Sequence, residues 1–249
     1  MANFNHINLI KTFFRHILSV VILTALPAAL MAQNLQLHYD FGSNIYTGEE
    51  GERQNVTVTL EHFKADGLGS WYYFVDVDMS SKFVESAYTE ISREFNFRKQ
   101  SPFAAHIEYD GGLSRNGSFQ QAALLGAAYN GHNADFSTTF SVQLMYKQFF
   151  KSYSNTHNYA SAQLTGVWST TFANKRCTFA GFIDFWRGEK ANGHGCLVIL
   201  SEPQFWYNFT PHFSIGTEWE FSNNFIYNQD PTSTKTFFWN PTVALKWNM

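Results

Sequence analysis

From Leu35 to the last residue, apolar and polar side chains alternate with period two, and the pattern restarts roughly every 10 to 20 residues. The i, i+3, i+4 spacing of an amphipathic helix fits almost nowhere, so the chain reads as all-β. Twelve strands are expected: Leu35 to Phe41, Asn55 to Phe63, Trp71 to Met79, Ala87 to Phe97, Phe103 to Tyr109, Phe119 to Tyr129, Phe136 to Phe149, Tyr159 to Phe172, Cys177 to Trp186, Cys196 to Phe209, Phe213 to Phe221 and Thr236 to Met249. Successive side chains point to opposite faces of a strand, and the two faces differ in kind. Trp71, Tyr73, Val75, Val77 and Met79 share one face of the third strand, with Asp76 and Asp78 on the other. Phe213, Ile215, Trp219 and Phe221 alternate with Ser214, Gly216, Glu218 and Glu220 in the same way. One strand resists: Ile91, Phe95 and Phe97 draw Arg93 onto the greasy face, where it either snorkels to an interface or marks a bulge.

The connections sort by parity. Odd-numbered ones, such as Ser43 to Gln54 and Asn223 to Lys235, run roughly 7 to 13 residues, and even-numbered ones, such as Ala173 to Arg176 and Thr210 to His212, roughly 3 to 7. A soluble sandwich has no reason for such sorting. An outer-membrane barrel has short periplasmic turns and long extracellular loops. The fold expected is therefore a transmembrane antiparallel up-and-down β-barrel of about 12 strands, with both termini on the periplasmic side. An exported soluble barrel or sandwich with the apolar face inward is the competing arrangement.

Composition agrees. The chain is 45% apolar and only 15% charged, with 26 Phe, 12 Tyr and 7 Trp in 249 residues. A mean hydropathy of -0.25 excludes a bundle of membrane helices, whereas alternating strands average to near neutrality. A net charge of -3, with no basic run, argues against nucleic acid as a partner. Lys11 and Arg15, an apolar run from Ile17 to Leu30 and the small Ala32 follow the order of a secretory signal. Residues 1–32 are thus expected to be a cleaved signal peptide and 33–249 the barrel. Without Lys11 and Arg15 the exported part keeps 15 basic and 20 acidic residues, a net charge of -5. Cys177 and Cys196 are either a bridge or two thiols, though a turn near Ala191 sets them out of register.

Four stretches carry a family likeness: Glu61-His-Phe-Lys-Ala-Asp-Gly-Leu-Gly-Ser-Trp71, Glu90-Ile-Ser-Arg-Glu-Phe95, Ala180-Gly-Phe-Ile-Asp-Phe-Trp186 and Glu220-Phe-Ser-Asn-Asn-Phe-Ile-Tyr227. They are similar to segments of the nucleoside-specific channel-forming outer-membrane proteins, the Tsx type, and resemble uncharacterised relatives of that family still more. The resemblance implies a monomeric twelve-stranded barrel whose narrow pore passes nucleosides. It assigns no individual substrate-contacting residue here.

Carrying the register through the strands gives a pore lining of Tyr72, Phe74, Asp76, Asp78, Glu90, Glu94, His106, Glu108, Phe182, Asp184, Glu202, Gln204, Trp206, Glu218 and Glu220. Acids dominate it. Such a lining favours cations or neutral polyhydroxylated solutes and repels anions, and Tyr72, Phe74, Phe182 and Trp206 offer faces for a flat ring. The competing role for the same residues is filling: carboxylates paired with Lys246 or an arginine, aromatics packed against one another. No cofactor, metal site or enzyme is expected. The motifs G-x-S-x-G and H-E-x-x-H are absent, and His132, His157 and His194 sit in turns. The function expected is a channel for small polar solutes, nucleosides among them. A non-conducting structural or ligand-binding barrel is the alternative, and an acyl hydrolase built on His106 and Glu108 a remote one. The partners expected are outer-membrane lipid, the barrel-assembly machinery and the solute, with the protein a monomer.

Overall fold

The computed structural model describes residues 33–99, 101–152, 157–190, 193–226 and 234–249, so the segment expected to be a signal peptide lies outside the described residues. Twelve antiparallel strands form one closed sheet: β1 (Asn34–Asp40), β2 (Val56–Ala65), β3 (Gly69–Met79), β4 (Val84–Asn96), β5 (Phe103–Ser114), β6 (Ala122–His132), β7 (Thr138–Phe149), β8 (Tyr159–Phe172), β9 (Cys177–Glu189), β10 (Gly195–Ser201 and Gln204–Asn208), β11 (Phe213–Asn223) and β12 (Phe237–Asn248). Each strand pairs with the next, and β1 closes the barrel on β12 with Leu37 opposite Leu245. The ladder of β10 is interrupted at Glu202 and Pro203, where a proline has no N–H to give. Its register nevertheless continues, because Glu202 N–H donates to the Phe182 carbonyl at 3.2 Å and Trp219 N–H to the Pro203 carbonyl at 3.0 Å. Residues 117–118 add a two-residue tab to β5.

Closure decides the orientation of the two faces. The face bearing Leu125, Leu144, Val243 and Trp247 is exposed, whereas Gln36, Ser214, Ser222 and Asn240 on the other are buried. A polar inside within an apolar outside is the inverse of a soluble barrel and belongs in a membrane, where every strand N–H and C=O must be satisfied by a neighbour. The chain is an outer-membrane type of barrel.

Arg93 resolves as a snorkel with no bulge beside it. It faces outward opposite Trp71, its guanidinium 5.0 Å from the centres of the Trp71 and Phe95 rings. From there it reaches the turn 66–68, where both terminal nitrogens lie 2.9 Å from the Asp66 carboxylate. This pair, with N–H groups of Leu68 and Gly69 on the same carboxylate, holds Asp66 down to about 2.

Parity of the connections holds less uniformly than the alternation suggests. Strands β1 and β2, β5 and β6, β7 and β8, and β11 and β12 are far apart in sequence where they leave one rim, but β3 and β4, and β9 and β10, are separated there by little more than the turns 66–68, 173–176 and 209–212 opposite. The reason is that β4 begins at Val84 and β9 runs to Glu189. Backbone pairing continues past the lipid band, where nothing enforces an apolar outer face. The cysteines are free thiols near opposite rims, Cys177 beside Tyr207 and Cys196 beside Gly188.

Candidate lumen site

All of the pore-lining candidates point inward, because cross-strand partners share a face: Phe74 lies opposite Glu90, Glu90 opposite Asp110, Glu94 opposite His106, and Gln204 opposite Glu218. They do not form one environment. Three clusters and one residual half-buried wall divide them.

The first cluster girdles the β4 to β9 wall. Asn130 donates to Glu94 at 2.6 Å, and His106 lies between Glu94 (3.4 Å) and Glu108 (3.0 Å). Lys147 binds Asp110 at 2.9 Å and Gln163 at 2.8 Å, with its ammonium 4.9 Å from the Trp186 ring centre. Carboxylate oxygens of Glu90, Glu108 and Asp110 lie within 4.8 Å of one another, a spacing one cation can bridge. The Lys147 ammonium already supplies positive charge there. Beside it, Ala122, Leu124, Met145 and Phe149 make a small apolar core inside the barrel, which the polar-lumen expectation did not contain.

The second cluster is at the outer rim, where Arg53 meets Asp40 at 3.0 Å, Glu50 at 3.5 Å and Glu220 at 2.7 Å. The third surrounds Trp206, which faces inward but is wholly buried. Its indole N–H donates to Gln204 at 2.9 Å, Gln204 donates to Glu218, and the Lys246 ammonium sits 3.8 Å from the ring centre. Trp206 is therefore a packing element, correcting its expected role as a stacking face. His106, Glu94 and Glu220 are buried too, and both ring nitrogens of His106 are taken by carboxylates. A hydrolase base would instead need a serine hydroxyl on that ring, and none is bonded to it among the described residues.

What remains half-buried is concentrated on β3 and β4 and the facing parts of β9 and β10: Tyr72, Phe74, Asp76, Asp78, Tyr88, Phe182, Asp184 and Glu202, with Glu90 of the first cluster and Glu218 of the third at its borders. Here the acids are held by neutral donors. Thr59 donates to Asp76, Thr57 (2.7 Å) and Ser86 (2.6 Å) to Asp78, Tyr88 to Glu90 (2.9 Å), and Thr165 to Asp184. Glu202 on β10 senses Glu218 and Glu220 on its own side and Asp76 and Glu90 from the opposite side of the barrel. Tyr72 lies among Glu61, Glu90, Asp76 and Glu202. Its ring centre is 6.1 Å from that of Phe74, which is 6.1 Å from Tyr88. Carboxylates thus converge from opposing strands around a short run of aromatic rings.

Glu61, Tyr88, Asp110 and Lys147 were not among the sequence candidates, although each has the right parity on its strand. Asp110 was missed because the alternation around it ends at Tyr109, while backbone pairing carries β5 to Ser114. Arg53 lies in a connection, where no period exists to be read.

Among solved structures the barrel is similar to the NanC porin, with a TM-score of 0.56 at 12% identity over 87% of this chain and 98% of that one. It is also similar to the KdgM porin, with a TM-score of 0.49 at 11% identity and the same coverage. At these identities the likeness is one of fold. No curated protein matches the chain. Residues 32–249 match the family described as Domain of unknown function (DUF5020), and the chain belongs to that family.

Proposed function

We propose that the protein is a passive outer-membrane channel for small uncharged or cationic polar solutes, with nucleosides the leading candidates. The observation that carries this reading is the half-buried inner wall, where Asp76, Asp78 and Asp184 are held by threonine and serine hydroxyls, beside Tyr72 and Phe74. Filling carboxylates are paired with cations, as Asp110 and Glu220 are. Those facing a path keep lone pairs for a passing cation or hydroxyl. The aromatic rings suit a flat base, and the resemblance to nucleoside-specific channels points the same way. Its setting would be outer-membrane lipid, reached through the assembly machinery after loss of residues 1–32, with one chain forming the pore.

Protein reconstituted in planar bilayers should conduct weakly, and adenosine or thymidine should reduce the current in a concentration-dependent way. Conductance that nucleosides leave unchanged removes the nucleoside assignment but keeps the channel. A silent bilayer favours the structural alternative, for which the apolar packing of Leu124, Met145 and Phe149 inside the barrel is the supporting observation.

A further inference from the structure

We propose that residues 41–55 are the constriction of the outer mouth, a strap folded into the barrel and pinned there by Arg53, which makes Arg53 a specificity-determining residue; this rests on the channel reading above. A connection at a wet rim has no apolar reason to turn inward, yet this one is bonded to inward-facing residues of three strands. Arg53 donates through Nε (3.1 Å) and Nη2 (3.0 Å) to Asp40 on β1 and through Nη2 (2.7 Å) to Glu220 on β11. Asn240 on β12 donates to Glu50 at 3.1 Å, and the Tyr46 ring meets the edge of Phe238 with centres 5.2 Å apart. Glu50, Phe238 and Asn240 are buried by these contacts.

The chain makes this inward turn at Gly42, at the start of a single helical turn (Gly42–Ile45). A Cβ at Gly42 would lie 2.6 Å from Asn240 Oδ1 and 2.9 Å from Asp40 Oδ1, so a larger residue there must push aside the two side chains that receive the strap. The pin needs an arginine for a geometric reason. One planar fork bridges carboxylates on two different strands, which the point charge of a lysine does poorly. Lys235, from the last outer connection, adds its ammonium 3.8 Å from the Tyr46 ring centre. The strap thus covers the β11, β12 and β1 side of the mouth and leaves the side of Asp78 and Tyr88 as the way in. It also sets one guanidinium among Asp40, Glu50 and Glu220, softening an otherwise acidic entrance.

The test uses full-length mature protein with both native cysteines replaced by serine and a spin label on a cysteine at Thr47, an exposed strap position. Its mobility is read in detergent, and single-channel conductance in bilayers, for Arg53 and for R53K, R53Q and E220Q. Retained heat-modifiable migration certifies the barrel in each case, and E220Q removes one arm of the pin while keeping Arg53 on Asp40. The expected result is a slow label in the parent, a fast one in R53Q with conductance at least doubled, and intermediate values for R53K and E220Q. A label that R53Q leaves slow overturns the proposal, and so does a freed label with unchanged conductance. A bilayer silent for parent and variants, with the label freed, overturns the channel reading and the constriction with it.

Discussion

At the scale of single residues the inner wall contains two kinds of charge, and substitutions should tell them apart. Lys147 and Asp110 are a buried pair, so Lys147→Ala strands a carboxylate away from water and should cost about 3 to 5 kcal/mol of stability. The double variant K147M/D110N, which removes both charges, should lose clearly less, as read from the unfolding midpoint in urea. Trp206→Ala, which empties the site of a fully buried indole, should likewise cost about 3 to 5 kcal/mol, and Trp206→Phe much less. Arg93 tests the outer face. Arg93→Ala loses ring contacts worth about 1 kcal/mol and frees Asp66, whose carboxyl is held at about 2. A depressed carboxyl contributes stability above its ordinary value and loses it as pH falls towards 2. The difference between parent and R93A should therefore be present at neutral pH and shrink in acid; a difference that grows in acid contradicts the assignment. The sequence left Arg93 undecided because alternation gives only a face. What rescues a charge on a lipid face is the distance to the nearest turn, a property of the folded hairpin.

At the scale of elements, strand existence and facing were readable because lipid on one side and water on the other enforce period two along each strand. Strand ends were less so, since Val84 to Ser86 and Arg187 to Glu189 pair beyond the lipid band. The strap was invisible, because its inward fold depends on Arg53, Glu50 and Gly42 meeting residues from β1, β11 and β12. Burial pushes the Glu50 carboxyl up to about 7, opposed by Arg53 and reinforced by the nearby Glu220 and Asp40. The pinned strap therefore binds a proton that a released strap would give up at lower pH. Strap closure should strengthen as pH falls below 7 and weaken as pH rises through it, with Asp40, Glu220, Arg53 and Lys235 the other charges at the site. Label mobility at Thr47 should be higher at pH 8 than at pH 6, and Glu50→Gln should flatten that difference. An unaltered profile in E50Q would assign the effect to another group. Gly42→Ala should free the strap at every pH.

At the scale of the whole molecule, the closed barrel fixes which residues meet which side of the membrane. Cysteines placed at the exposed Glu52 and Arg115 should react with an impermeant reagent on intact cells, and one at Lys175 should not. Equal labelling of both rims would contradict the topology. Glu50, although it lies in an outer connection, is a poor reporter because the strap buries it. Purified mature protein should begin at Gln33 by N-terminal sequencing. The central claim is that half-buried carboxylates line an open path, and ion selectivity tests it most directly. In the reversal potential measured across a potassium chloride gradient, cations should be preferred several-fold at about 0.1 M salt. The preference should decline towards unity near about 1 M, as the screening length falls from about 10 to about 3 Å. A preference for chloride, or no preference at low salt, would contradict the account.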